Sequence, residues 1–161
     1  METTKANTAV ITSEELLAHW QGHRGLTRRL IEAFPEQEFF DYSIGGMRPF
    51  ADMVQELLAI AVPGLREITG SKTEELKEHI EHGKQKAHIL KLWDEATEEL
   101  NQLWGQIPVE RFHEHILAFG QYEGSVWSTI FYFIDNEIHH RGQGYVYLRS
   151  LGIEPPFFWE R

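Results

Sequence analysis

The sequence predicts an all-α fold, a four-helix bundle with long crossover connections. Three observations point to it. Four long stretches repeat apolar residues at spacings of three and four, proline and glycine signals separate them, and no run alternates convincingly enough to make a strand. At 161 residues and 42% hydrophobic composition the chain can bury one sizeable core. The expected organisation is a flexible N-terminal segment over residues 1–11 and a single helical domain over 12–161.

The first helix opens where Thr12 and Glu15 have capping-box spacing, each side chain placed to satisfy the other's backbone N–H. Leu16, Trp20, His23, Thr27, Leu30 and Phe34 form its seam, with His19 one turn before His23 on an adjoining line, and Pro35 ends it. "PEQEFFDYSIGGMR" reads as a loop. Pro49 at a first helical position announces the second helix, with Phe50, Met53, Val54, Leu57, Leu58 and Ala61 on its apolar line. Pro63-Gly64 predicts a kink or interruption, with Leu65 and Ile68 extending the face as far as Gly70.

"SKTEELKEHIEHG" begins with a second capping-box spacing, Ser71 to Glu74, and reads as a short, charged, exposed helical piece. From Gly83, the pattern Ile89, Trp93, Ala96, Leu100, Leu103 makes the third long helix, with Lys86, Glu95, Glu98 and Glu99 on its polar face. Pro108 marks its end. "VERFHEHILAFGQYEG" is partly alternating and reads as a long connection. Val126, Ile130, Phe133, Glu137, His140, Gly144, Tyr147 and Leu151 form the fourth seam, with Gly152 as the C-cap and Pro155-Pro156 beyond.

Composition excludes several functions. The 25 acidic against 15 basic residues give a formal charge of −10, which repels phosphate backbones, so no nucleic-acid partner is expected. With no cysteine there is no disulfide, thiolate metal site or cysteine nucleophile, and any metal must be held by histidine, carboxylate or amide groups. "METTKANTAV" lacks the pattern of a signal peptide, and no apolar run approaches about 18 residues, so a cytoplasmic protein without a membrane partner is expected. Gly45-Gly46 lacks the lysine and strand of a phosphate cradle. Ser125 and Ser128 have no base placed to complete a triad.

The chemistry concentrates in "IDNEIHHRGQGYVYLR", residues 134–149. Residues three or four apart share a helical face, so His140 neighbours Asn136 and Glu137, while His139 neighbours Asp135 on another line. A glutamate three residues before a histidine is the spacing of carboxylate metal sites in bundles. A lone histidine on an apolar face is more often hydrogen-bonded core. Burying Glu137 and His140 together costs on the order of several kcal/mol without a partner, water or an ion. Arg141 is a counter-ion that would satisfy the carboxylate without metal. Glu56, one position off the second helix's apolar line, and His23 from the first helix are the candidates to converge on His140. The plain alternative for Glu56 is a solvated carboxylate. His113 with His115, and His79 with His82, read as solvated pairs. "PPFFWER" puts three aromatics on an irregular tail that needs cover from the bundle's end or a second subunit.

"HHRGQGYVYLRSLGIEPP" resembles the signature at the end of the last helix in the DinB/YfiT-like superfamily, and the resemblance spans residues 13–158. It implies a four-helix bundle in which a divalent metal is held by one histidine from the second helix and two ligands four apart on the last. The second of that last-helix pair matches His140. The first falls on Asn136, where the family commonly has histidine, and an ungapped placement puts Glu56 at the second-helix position. The implied metal set is therefore Glu56, Asn136 and His140, with Glu137 or His23 as substitutes for Asn136. Exchanging two imidazoles for an amide and a carboxylate favours a weaker or harder-ion site among Ni, Zn and Mn. Members with known activity include metal-dependent thiol transferases and isomerases that use a low-molecular-weight thiol, while many others resemble stress-associated proteins without assigned chemistry. The resemblance implies a metal-dependent thiol S-transferase or hydrolase acting on a small-molecule substrate, and a homodimer. The alternative is a metal-free binding or dimerising module whose polar seam is closed by Arg141 and a carboxylate.

Overall fold

The computed structural model describes residues 9–70, 72–77 and 79–161. The proposed cap residue Ser71, and residues 1–8 of the proposed flexible segment, lie outside these. The chain folds into helices α1 (Ser13–Ala33), α2 (Glu36–Asp41), α3 (Phe50–Thr69), α4 (Lys86–Trp104) and α5 (Val126–Ser150). A hairpin of β1 (His115–Ala118) and β2 (Tyr122–Ser125) precedes α5. α1 and α3 each pack against both α4 and α5, so the order around the bundle axis is α1, α4, α3, α5. Consecutive long helices α1 and α3 are therefore diagonal, which the crossover through α2 and the Gly45-Gly46 turn makes possible.

The predicted stop and start signals act as expected at both ends of the bundle. Thr12 Oγ1 accepts from Glu15 N at 3.1 Å and Glu15 Oε2 from Thr12 N at 2.8 Å, completing the capping box of α1. At the end of α5, Leu151 is the cap and Gly152, at φ +76°, is the left-handed residue after it. Ile153 N donates to Leu148 O at 2.9 Å and Gly152 N to Arg149 O at 3.0 Å, a Schellman closure.

Four expectations change. Pro63 does not interrupt α3, which runs on to the cap at Gly70 with Leu65 and Ile68 continuing its face as expected, because the turn beyond the proline buries both. An internal proline costs about 3 kcal/mol, and burying two such side chains returns about 1.5–3 kcal/mol each. "EQEFFD" forms α2 rather than loop, because Phe39 and Phe40 pack edge to face at 4.9 Å with Phe39 fully buried. The partly alternating stretch after Pro108 holds a 3-10 turn at Val109–His113 and then the hairpin, so that connection is not free of strand.

The described part of "SKTEELKEHIEHG" is an irregular strap, not a helix. Leu76 packs on the cluster containing Trp20 and Phe133, and Ile80 on the cluster containing Phe50 and Trp93. Four residues span about 6 Å in a helix and about 13 Å extended, so anchoring to two clusters favours the extended path. Glu67 Oε2 accepts from Glu74 N at 2.9 Å and Gln55 Oε1 from Ile80 N at 3.1 Å, tying the strap down to α3.

α3 and α5 meet closely where Gly64 faces Phe133: a Cβ on Gly64 would lie 2.3 Å from the ring's Cζ. Phe133 also lines the cavity described next.

Candidate functional site

α5 presents chemistry on two lines, and the bundle sends them to different places. Asn136 and His140 turn toward α3, while Glu137 and Arg141 turn toward α1. The spacing of three and four that grouped them in the sequence does not distinguish these sides, since α5 is wedged between both helices.

On the α3 side, the three residues of the implied metal set meet. Glu56 Oε1 lies 3.1 Å from His140 Nε2 and accepts from Asn136 Nδ2 at 3.2 Å. His140 Nδ1 lies 3.1 Å from Gln143 Oε1, which fixes the ring's orientation. Glu56 Oε2 accepts from Arg48 Nη2 at 2.5 Å. Arg48 stands just before the N-cap Pro49, and its backbone carbonyl accepts from Tyr147 Oη at 2.8 Å, so α5 also anchors it. Burial raises the Glu56 carboxyl's pKa, but the hydrogen bonds from Arg48, His140 and Asn136 outweigh it and hold the carboxyl below its ordinary range.

Glu56 also forms part of the wall of a cavity of about 410 Å³ between α3, α5, the strap and the hairpin. Phe119, Tyr122 and Glu123 face it from the hairpin region, Tyr132 and Phe133 from α5, and Ile60 and Leu76 complete an apolar wall. Burial, then the charge of Glu56, pushes the Tyr132 phenol up, so that hydroxyl stays a neutral donor.

The substitutes for Asn136 join a different network. Glu137 is buried against α1, where it accepts from Thr27 Oγ1 at 2.6 Å and Trp20 Nε1 at 3.4 Å. Arg24 and Arg141 flank it, each with a nitrogen 3.8 Å from its carboxylate. Arg24 lies over the Trp93 ring at 3.5 Å, and burial lowers its pKa to about 10 despite Glu137. Arg141 donates to His23 O at 3.2 Å and approaches His23 Nδ1 at 2.8 Å. Burial first, then the Arg141 charge, lowers His23 to about 3, so its imidazole is neutral and can accept that bond. Arg141 thus stands beside the Glu137 carboxylate while its hydrogen bonds go to His23 and Thr27, and Glu137, His23 and Arg141 cluster on the α1 side, apart from the Glu56 contacts.

Other histidines behave more simply. His113 and His115 are exposed, as expected of a solvated pair. His82 departs from expectation by stacking on Phe40 at 4.9 Å. His139 approaches Gln143 at 3.4 Å. Ser125 Oγ caps α5 by accepting from Ser128 N at 3.2 Å, which accounts for that serine without catalysis.

The donors on Glu56 do not fit a tightly held nickel or zinc ion. The set offers one imidazole, one amide and a single carboxylate, and that carboxylate already has a guanidinium on its second oxygen. A divalent ion there would meet the Arg48 charge across a few ångströms and lack the second imidazole that nitrogen-preferring ions favour. Among the described residues no group of three or more His, Cys, Asp or Glu is placed to hold a metal ion. Sequence reasoning missed Arg48, because it precedes the helix and no periodic pattern links it to Glu56. It also missed the hairpin wall, because Phe119, Tyr122 and Glu123 reach the cavity only through the turn.

The fold is thus an all-α bundle with a polar cluster between its second and last long helices, beside a cavity. The chain belongs to the DinB family, whose model matches residues 1–160. The fold is similar to a DinB-like protein from Bacillus cereus ATCC 10987, at 16% identity and TM-score 0.73, covering 89% of this chain and 95% of that one. It is similar to a DinB-like protein from Bacillus subtilis, at 18% identity and TM-score 0.70, covering 91% and 99%. A mycothiol-dependent maleylpyruvate isomerase aligns at 16% identity and TM-score 0.57, covering 88% of this chain and 68% of that one. At these identities the likeness is one of fold. No curated protein matches the sequence. No helix among the described residues is long and apolar enough to cross a membrane.

Proposed function

We propose that the protein is a cytoplasmic DinB-family protein that binds, and acts on, a small molecule in the cavity over Glu56 without a resident metal. The observation that supports this reading is the double role of Glu56, part of the cavity wall and the hub of a bonded cluster. In it, Arg48 holds one carboxylate oxygen in place from a half-exposed position, while Asn136 and His140 hold the other. Glu56 is the group that meets the ligand, as hydrogen-bond acceptor or proton acceptor. His140 is a positioning residue whose Nε2–H donates to Glu56 Oε1 and keeps the carboxylate aimed.

The second reading is a divalent-metal-dependent enzyme, a thiol S-transferase or hydrolase, with Glu56, Asn136 and His140 as ligands to Ni, Zn or Mn. The approach of Asn136 and His140 to within 3.2 Å of Glu56 Oε1 favours it. A low-molecular-weight thiol as co-substrate belongs to this reading, by analogy with the isomerase named above. Either reading accommodates a homodimer, with the aromatic tail at the subunit interface.

Thermal unfolding of tag-free protein separates the two, since an ion bound only by the folded state raises stability by about 2.7 kcal/mol at a hundredfold excess over Kd. The metal-free reading expects no shift with a chelator or with Mn²⁺, Ni²⁺ or Zn²⁺. It expects Arg48→Gln, which frees Glu56 Oε2, to acquire an ion-dependent shift. An ion-dependent rise in the unmodified protein that His140→Ala abolishes supports the metal reading instead.

A further inference from the structure

We propose that the ligand of the cavity is a small organic cation, an ammonium group carried on an apolar body. The inference rests on the reading of the cavity as a small-molecule site and adds the chemical class. Four aromatic rings face the space: Phe119 and Phe133 are buried, and Tyr122 and Tyr132 are more than half exposed at its rim. Two carboxylates, Glu56 and Glu123, face the same space, and among the described residues no lysine, arginine or histidine lines it.

Aromatic faces carry a negative quadrupole and attract ammonium groups, with about 0.5–2 kcal/mol per good contact. An anionic ligand would meet two carboxylates and four ring faces with no cation in the wall. A neutral apolar ligand would strip water from Glu56 and return no donor. Arg48 does not reverse this field. It contacts only Oε2, from a side chain 45% exposed and screened by water, whereas the Glu56 side chain is 15% exposed. The volume of about 410 Å³ is at the small end of the roughly 300–1,000 Å³ usual for ligand pockets, with room for a short alkyl or aryl body.

Isothermal titration of the full chain with hexyltrimethylammonium, hexanol and hexanoate tests the class, because the three share a body and differ in head group. The ammonium should bind about tenfold tighter than hexanol, and hexanoate weakest of all. Glu123→Gln, at an exposed position that leaves the fold intact, and Tyr132→Leu should each weaken the ammonium severalfold and leave hexanol unchanged. Hexanol or hexanoate binding as tightly as the ammonium would overturn the cationic class while leaving the cavity a small-molecule site. Absence of binding by all three would overturn both the class and the site.

Discussion

Glu56 on α3 and His140 on α5, 84 residues apart in the chain, meet with Oε1 and Nε2 at 3.1 Å. That contact joins two helices at the polar end of the cavity, and Arg48 on the other carboxylate oxygen prevents the side chain from rotating away.

The pH dependence of stability follows from this geometry. The Glu56 carboxyl sits below its ordinary value of 4.5, so its contribution to folding is full above that value and is lost as pH falls through the lower folded value. Urea midpoints of the unmodified protein and Glu56→Gln should differ by a constant amount at neutral pH, and the difference should shrink on acidification below about 4.5. A difference that grew with acid would show the carboxyl raised, not lowered.

Glu137 is expected to matter to folding and not to the site. Glu137→Ala leaves Arg24 and Arg141 buried without their carboxylate, at a cost of about 3–5 kcal/mol. Chemical denaturation should show that loss, and titration near neutral pH with the same ammonium probe should show unchanged affinity for the folded fraction.

The α3–α5 approach is tested by two glycines. A Cβ at Gly64 would meet Phe133 Cζ at 2.3 Å, so Gly64→Ala should cost about 1–3 kcal/mol and disturb the cavity wall that Phe133 forms. Gly142 lies inside α5, and a methyl group added there would meet nothing within 4 Å, so Gly142→Ala should stabilise by about 0.5–1 kcal/mol. Melting temperatures moving in the same direction would contradict the packing described.

The tail bears on assembly. Phe157, Phe158 and Trp159 remain 47–66% exposed, with Phe157 and Trp159 stacked at 4.9 Å, so their rings do not cover the bundle's end. If they form the subunit interface, the full chain elutes as a dimer and truncation after Pro156 shifts it to monomer at unchanged helicity. A truncated chain still dimeric would move the interface elsewhere.

Sequence periodicity carried the four long helices, because burial of a helical face imposes spacings of three and four directly. Capping signals placed Thr12 and Gly152 at the helix ends, whereas the grouping of Glu56 with Asn136 and His140 came from the family resemblance and not from spacing, which cannot say what α3 brings to α5. Periodicity could not separate Glu137 from His140, since the two lines diverge only when α5 is set between α1 and α3. Arg48 and the hairpin wall depend on where connections cross, and the strap around Leu76 and Ile80 is extended because its anchors are far apart, which capping signals do not encode.

The most direct test of the account is a crystal structure of the tag-free protein soaked in Zn²⁺, with anomalous difference density inspected at Glu56. The account predicts the Arg48 guanidinium on Oε2 and no anomalous peak between Glu56 and His140. A peak ligated by Glu56 and His140, with Arg48 displaced from the carboxylate, would contradict it.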